Sequence, residues 1–317
     1  MDKILIIGAL GQIGSELTPE LRAIYGNDNV IASDIQDDYS NVGDPYVKLD
    51  VTDAKSFADI IKKHGITMVI NMAAILSANG EVSPMTAWNI NMNGLINTLE
   101  VCREHNVRRV LVPSSIAAFG PGTPVDNTPQ ETVLHPSTMY GITKVSGELL
   151  CDYYVRKYCM DVRGLRYPGI ISYKTLPGGG TTDYAVAIYY DAVKYGKYTC
   201  FVREDTRLPM MYMPDCLKAT IDLLHADFSK LVHHSDFNLS AMSFSAGELA
   251  ASIRKFMPDF TIEYAPDFRQ KIADSWPNSI DDSCARKEWG WKPAYDLDAM
   301  TKDMLEKISE KHKLGLI

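Results

Sequence analysis

The chain opens MDKILIIGALGQIG. A short apolar run rich in isoleucine stops at Gly8, and glycines recur at Gly11 and Gly14 as a helical segment begins. A continuous apolar run of that length, bounded by glycine, is what a strand buried on both faces requires. Glycine at its end permits a tight turn and a close approach of backbone. A strand that feeds a helix through so short a loop commits the chain to a strand–helix unit from its first residues.

The unit repeats. NVIASD (29–34) and YVKLD (46–50) read as the second and third strands, 53–64 as a helix, and MVINMAA (68–74) as the fourth strand. A long helix is expected over 84–105, a fifth strand at RRVLVPSS (108–115), a second long helix over 138–158, and a sixth strand at VRGLRY (162–167). Strands separated by helix-length segments predict an α/β chain with a doubly wound parallel Rossmann sheet. Right-handed crossovers then bring the carboxyl ends of the strands to one edge, where ligands bind. Beyond Tyr167 the alternation fades and prolines accumulate, among them Pro168, Pro177, Pro209, Pro214, Pro258 and Pro266. The expected division is a nucleotide-binding domain over 1–167 and a smaller substrate-binding lobe over 168–317, with chain crossings back to the sheet allowed.

The triplet Gly8, Gly11, Gly14 has the spacing G-x-x-G-x-x-G, where backbone amides can approach a pyrophosphate at a positive helix N-terminus. Asp34 closes the second strand 20 residues after Gly14. A carboxylate there can accept both ribose hydroxyls and repels a 2′-phosphate. Its neighbours are Ser33 and Ile35, with no arginine, so NAD is favoured over NADP. Asp50 and Val51, closing the third strand, are expected to flank the adenine.

STMYGITK sets Tyr140 and Lys144 four apart at a helix start, on one face. A phenol is a poor base at neutral pH, and an ammonium beside it favours the phenolate. Such a pair can take a proton from an alcohol while hydride leaves the same carbon. A tyrosine–lysine pair at this spacing is also a common surface pairing. The order of glycine loop, acidic strand end, serine pair and Y-x-x-x-K is the more specific signal.

Net charge is −8 with no basic block, which argues against nucleic acid as a partner. No apolar run approaches membrane-spanning length. The first strand starts at once, leaving no room for a signal or transit peptide unless a precursor was trimmed. Six scattered cysteines without a C-x-x-C pair fit a reducing cytoplasm. The seven histidines lack metal-ligand spacing, and no metal site is expected. Trp276, Trp289 and Trp291 read as packing residues, and MMYM at 210–213 as core or pocket lining.

With these motifs in place, the chain resembles the extended short-chain dehydrogenases/reductases over nearly its whole length. PSSIAAFG matches that family's S-S-x-x-x-[YF]-G, and NINMNG its N-x-N-G on the long helix. The resemblance implies Ser115, Tyr140 and Lys144 as the catalytic set. It implies NAD contacts at Gly8, Gly11, Gln12, Ile13, Gly14, Asp34, Asp50, Val51, Met72, Ala73, Ala74, Asn91, Tyr140, Lys144, Tyr167 and Ile170. Within the family the segments AAILSANGE, LRYPGIIS, PGGGTTDYAV and RLPMMYMPD are similar to the epimerase-like L-threonine 3-dehydrogenases. That likeness implies oxidation of L-threonine at C3, with Ser77, Ser115, Tyr140, Thr181, Thr182 and Asp183 around the substrate, and a homodimer built on the two long helices.

LPGGGTTDYAVA (176–187) accordingly reads two ways, as a substrate lid and as a helix start capped by Thr181, Thr182 or Asp183. Sugar-nucleotide relatives place an asparagine where this chain has Gly169, although Arg203, Arg207 and Arg254 could serve a diphosphate. A nucleotide-sugar epimerase or dehydratase and a non-catalytic NAD-binding sensor are the alternative readings.

Overall fold

The computed structural model describes residues 2–317 with the exception of Pro177. Six parallel strands form the central sheet: β1 (Ile4–Ile7), β2 (Val30–Asp34), β3 (Tyr46–Lys48), β4 (Met68–Asn71), β5 (Arg109–Leu111) and β6 (Asp161–Arg163). Their order is β3-β2-β1-β4-β5-β6. This is the doubly wound order, with a switch point between β1 and β4.

The residues of β1 show why the sheet is covered on both faces. Ile4 and Ile6 enter one core with Val30, Ala32, Met68 and Ile70. Leu5 and Ile7 enter the opposite core with Ile31 and Val69. A period of two sends alternate side chains to opposite faces, so an unbroken apolar strand needs helices on both. Helix α1 (Gln12–Tyr25) covers the first face, together with a later helix, Met213–His225. Helices α2 (Ala54–His64), α3 (Gly94–Glu104) and α4 (Met139–Tyr158) cover the second. The expected 84–105 helix is not uniform: Pro84–Trp88 leads through a π-helical segment, Asn89–Asn93, into α3. π-Turns of this kind often mark functional sites.

Two expected strands are broken. The fifth stops at Leu111, and Ser114–Ser115 pairs with a different sheet of Leu165–Tyr167 and Phe237–Asn238. The sixth breaks at Gly164, whose N–H turns aside to the His234 carbonyl. Pro113 has no N–H to extend the fifth strand. The jog carries Ser115 and Tyr167 past the sheet edge. The third strand ends at Lys48 rather than Asp50, because the Asp50 carboxylate turns to the Thr52 amide at 2.9 Å.

A third core collects Tyr184, Tyr189, Leu208, Phe244, Leu249, Met300 and Met304. Its elements include α5 (Tyr184–Tyr195), α6 (Ala246–Phe256) and α7 (Leu297–Lys313). A small sheet beside it runs Met242–Ser245, Arg207–Tyr212, Gly169–Ile171. Met210 to Met213 are fully buried, so MMYM is core. No helix among the described residues is long and apolar enough to cross a membrane.

Candidate active site

One cavity runs along the carboxyl edge of the sheet from the glycine loop to α4. Its wall contains Gly8, Gly11, Gln12, Ile13 and Gly14 at one end and Ser115, Tyr140 and Lys144 further along. Met72, Ala73, Ala74, Asn91, Tyr167 and Ile170 line it between them, and Ser77, Thr181, Thr182 and Asp183 close one side. Asp34, Asp50 and Val51 lie outside the wall. Val51 packs against Gly94, and Asp50 is engaged with Thr52.

The glycine loop is fitted for a diphosphate. A Cβ on Gly14 would collide with the Gly8 carbonyl and stand 2.8 Å from the Ala9 Cα, so only glycine lets α1 begin this close to β1. Gly11 occupies the N-cap position, no side chain caps α1, and no acidic residue stands in its first turn. Its free amides and positive helix end therefore face the cavity unopposed. Asp34 buttresses the loop, its Oδ2 accepting from the Leu10 N–H at 3.1 Å and its Oδ1 from Ile35 at 2.8 Å. These residues fit NAD at the same edge on which the triplet and the acidic strand end converge.

The candidate catalytic groups are held by backbone and side-chain contacts. Thr138 caps α4 by accepting from the Gly141 N–H at 3.1 Å, which sets the helix start that carries Tyr140. Lys144 donates from Nζ to the Pro113 carbonyl at 2.7 Å, with Nζ 5.3 Å from the Tyr140 ring centre. Ser115 Oγ accepts from the Ala117 N–H at 3.2 Å, closing the turn that follows its strand. Asn91, in the π-helical segment, binds both the Ile75 N–H and carbonyl, at 2.8 and 3.1 Å. It also donates to Thr143 Oγ1 at 3.1 Å, tying α4 to the loop after β4.

The segment at 178–183 is pinned from two directions. Ser77 Oγ and Thr181 Oγ1 lie 3.0 Å apart, and Asn79 Nδ2 donates to the Gly178 carbonyl at 3.3 Å. Asp183 stands at the N-cap of α5 without capping it. Its Oδ2 instead accepts from the N–H groups of Gly179 and Gly180, both at 2.8 Å. Burial pushes the Asp183 carboxyl above the usual carboxylate range against the pull of those amides and of Arg269. The expected cap is thus a clamp on the glycines. Pro177, which leads into them, lies outside the described residues.

Several wall residues carry no motif signal. Trp276, read from sequence as packing, lines the cavity as well as the third core. Glu148 and Cys151 also reach the wall, and burial pushes the Cys151 thiol up to about 12. The three arginines weighed for a diphosphate are engaged elsewhere: Arg203 with Asp274, Arg207 with Glu248, and Arg254 with the Phe260 carbonyl.

Comparison with known proteins agrees with this geometry. Residues 4–239 match the model of the NAD dependent epimerase/dehydratase family. An uncharacterized epimerase/dehydratase of Staphylococcus saprophyticus is 50% identical, with 99% of each chain covered. The X-ray structure of L-threonine dehydrogenase from Clostridium difficile superposes with a TM-score of 0.95 at 56% identity over 98% of each chain. A monomeric L-threonine 3-dehydrogenase from a metagenome does so at 0.94 and 50%, covering 97% of this chain and 99% of that one. A family model that matches most of the chain and relatives at half identity or more over nearly its whole length lead to one assignment: the chain is an NAD-using oxidoreductase belonging to the NAD dependent epimerase/dehydratase family.

Proposed function

We propose that the chain oxidises L-threonine at C3 to 2-amino-3-oxobutanoate. The observation that carries this reading is the fit between Gly169 and Thr182. A Cβ on Gly169 would stand 2.8 Å from Thr182 Cγ2 and collide with Met210 Sδ. The missing side chain lets the 181–183 turn descend onto the sheet edge beside Ser115 and Tyr140. Beside this turn the cavity wall carries the hydroxyls of Ser77, Thr181 and Thr182 and the Asp183 carboxylate, which suits a small zwitterion better than a nucleotide sugar. The solved L-threonine dehydrogenases of similar fold, at 50 and 56% identity, support the same substrate.

In this reading residues 1–167 hold NAD and the reacting groups, and 168–317 supply the lid and the far wall. NAD, when bound, accepts the hydride of C3. Ser115 orients the substrate hydroxyl, and Tyr140 takes its proton. Lys144, held by the Pro113 carbonyl, orients the nicotinamide ribose and supplies positive charge beside the Tyr140 ring. Ser77 and Thr182 hold the substrate carboxylate, and Asp183 faces its ammonium. Fixing so small a molecule matters, because a misplacement of ~1 Å is enough to cost about 100-fold in rate. Six free thiols suit work in a reducing cytoplasm.

Tyr140→Phe should lower kcat for threonine by about 100- to 10,000-fold, the usual range for losing a general base, while NAD affinity measured by titration stays at the wild-type value. Near-normal NADH production would remove Tyr140 from the reaction. Gly169→Asn should push Thr182 away and lower kcat/KM for threonine by about 100-fold with NAD binding retained. Turnover of a nucleotide sugar by the wild type, with none of threonine, would overturn the substrate assignment.

Asp183 gives a pH test. A carboxyl whose folded pKa is raised costs stability while ionised, and that cost is relieved as pH falls. Asparagine can accept the same two amide hydrogen bonds without the charge. Asp183→Asn should therefore melt no lower than wild type at neutral pH, wild type should gain on it as pH falls, and the KM for threonine should rise. A variant that keeps the wild-type KM leaves Asp183 as a loop clamp alone.

The same proposal extends to assembly. Met85, Trp88, Ile96, Leu149 and Tyr153 are exposed along the stretch leading into and through α3 and on α4. Pairing the two faces would bury them in a homodimer. Sedimentation at micromolar concentration should give twice the chain mass, and a monomer, the state named for the metagenome relative, would refute it.

A further inference from the structure

Away from the cavity, three unlike ligand types converge. One donor atom from each of His233, Cys284 and Glu288 lies within 4.8 Å of the other two. His233 precedes the Phe237–Asn238 strand, and Cys284 and Glu288 stand one turn apart on the helix Ser283–Trp289. Glu288 divides its oxygens. Its Oε2 accepts from the N–H groups of Val232 at 2.7 Å and His233 at 3.1 Å, leaving Oε1 2.7 Å from His233 Nδ1. The other ring nitrogen, Nε2, is 3.0 Å from Glu131 Oε1.

We propose that His233 Nδ1, Cys284 Sγ and Glu288 Oε1 form a binding site for a divalent cation of the zinc type, with a fourth position open to water. Imidazole, thiolate and carboxylate are the ligands zinc takes. A ligating imidazole characteristically donates its second N–H to a carboxylate, which fixes the ring. Glu131 occupies that position. Glu288 is oriented by two backbone amides in the same way, so its metal-facing oxygen is set before any ion arrives. The ion takes the place of the proton between Nδ1 and Oε1, and that proton and the Cys284 proton both leave to solvent as the ligands bind. Bonds of about 2.0–2.3 Å give ligand-to-ligand edges of about 3.3–3.8 Å. The donors lie within 4.8 Å of one another, so Cys284, half-buried on its helix, closes in by ~1 Å at most, while Nδ1 and Oε1, 2.7 Å apart, open by ~0.6 Å to reach such an edge. Asp236 and Asp281 add negative charge around the thiol and favour a cation over an anion. The bound ion ties the loop carrying His233 to the helix Ser283–Trp289. Ser235 of that loop lines the main cavity.

The test is titration of Co2+ into the chelator-treated, full-length chain, followed by near-ultraviolet absorption, with thermal melting in Zn2+ alongside. One equivalent of Co2+ should give a thiolate-to-cobalt charge-transfer band, and Zn2+ should displace it. Cys284→Ser should abolish the band and the Zn2+-induced rise in Tm while leaving the metal-free Tm unchanged. Glu131→Gln should keep the band but weaken affinity by about 10- to 100-fold, the usual loss when such a buttress is removed. Absence of both band and Tm shift in the wild type would overturn the site, leaving His233 as a clamp between two carboxylates. A band that persists in Cys284→Ser would overturn it equally, by placing the ion on another thiol such as the exposed Cys159.

Discussion

The ion pair between Glu148 and Arg166 holds together the parts on which the candidate active site stands. Arg166 donates from Nε and Nη2 to the two Glu148 oxygens at 2.8 and 2.7 Å, and both side chains are almost fully buried. Its Nη1 reaches the Gln130 carbonyl and Asn238 Oδ1, while Ser114 Oγ donates to Glu148. Burial works against the guanidinium charge, and Glu148, Asp236 and Glu131 outweigh it, so the group remains protonated. Moving such charges out of water costs several kcal/mol per ion unless hydrogen bonds offset it. Here each partner is bonded by several groups from separate elements. The pair joins α4, the Ser114–Ser115 strand, the Leu165–Tyr167 strand and the Phe237–Asn238 strand at one point. Lys144 is one turn before Glu148, and Ser115 follows Ser114. The spacing between two reactive groups is thereby set by a contact that touches neither.

That arrangement explains why two strands are broken where simple periodicity expects them to run on. A parallel strand that continued past Leu111 would keep Ser115 in the central sheet. Pro113 ends the ladder, and the chain crosses to pair with Leu165–Tyr167. The cost is a shorter central strand. The gain is a serine and a tyrosine placed beyond the sheet edge, over a polar network in which every described partner is satisfied.

The parallel sheet and the glycine loop were legible because they depend on local pattern. A run such as ILII (4–7), buried on both faces, announces helices on both sides, and right-handed crossovers then put the carboxyl ends of the strands on one edge; the strand order itself was not read from the sequence. Tyr140 and Lys144 were legible because helix geometry alone puts them on one face. Trp276 was not, because nothing near it in the chain says that it faces a cavity. Asp183 was half legible: its place at a helix start was expected, but not that its carboxylate turns back onto two amides of a left-handed glycine bend, with Gly179 at a φ of 96°. Motif spacing also hid His233 from Cys284 and Glu288. Fifty residues separate them in sequence, and only the packing of a loop on a short helix brings the three donor atoms together.

The corner where Ser77 meets Thr181 shows how few groups a closed part of the cavity presents. Two hydroxyls 3.0 Å apart, Ser77 and Thr181, hold one hydrogen between them. One of the pair donates to the other, so one O–H is left to donate elsewhere. A carboxylate is an acceptor without a hydrogen to give, and the remaining O–H is complementary to it. A neutral alcohol or amide oxygen could accept from the same O–H, but less strongly than a charged carboxylate. Both hydroxyls are buried, where an unmatched polar group costs ~1–3 kcal/mol. What this corner offers an occupant therefore rests on the count of available hydrogens, and the sheet edge and the glycine bend bring those two oxygens to the same point.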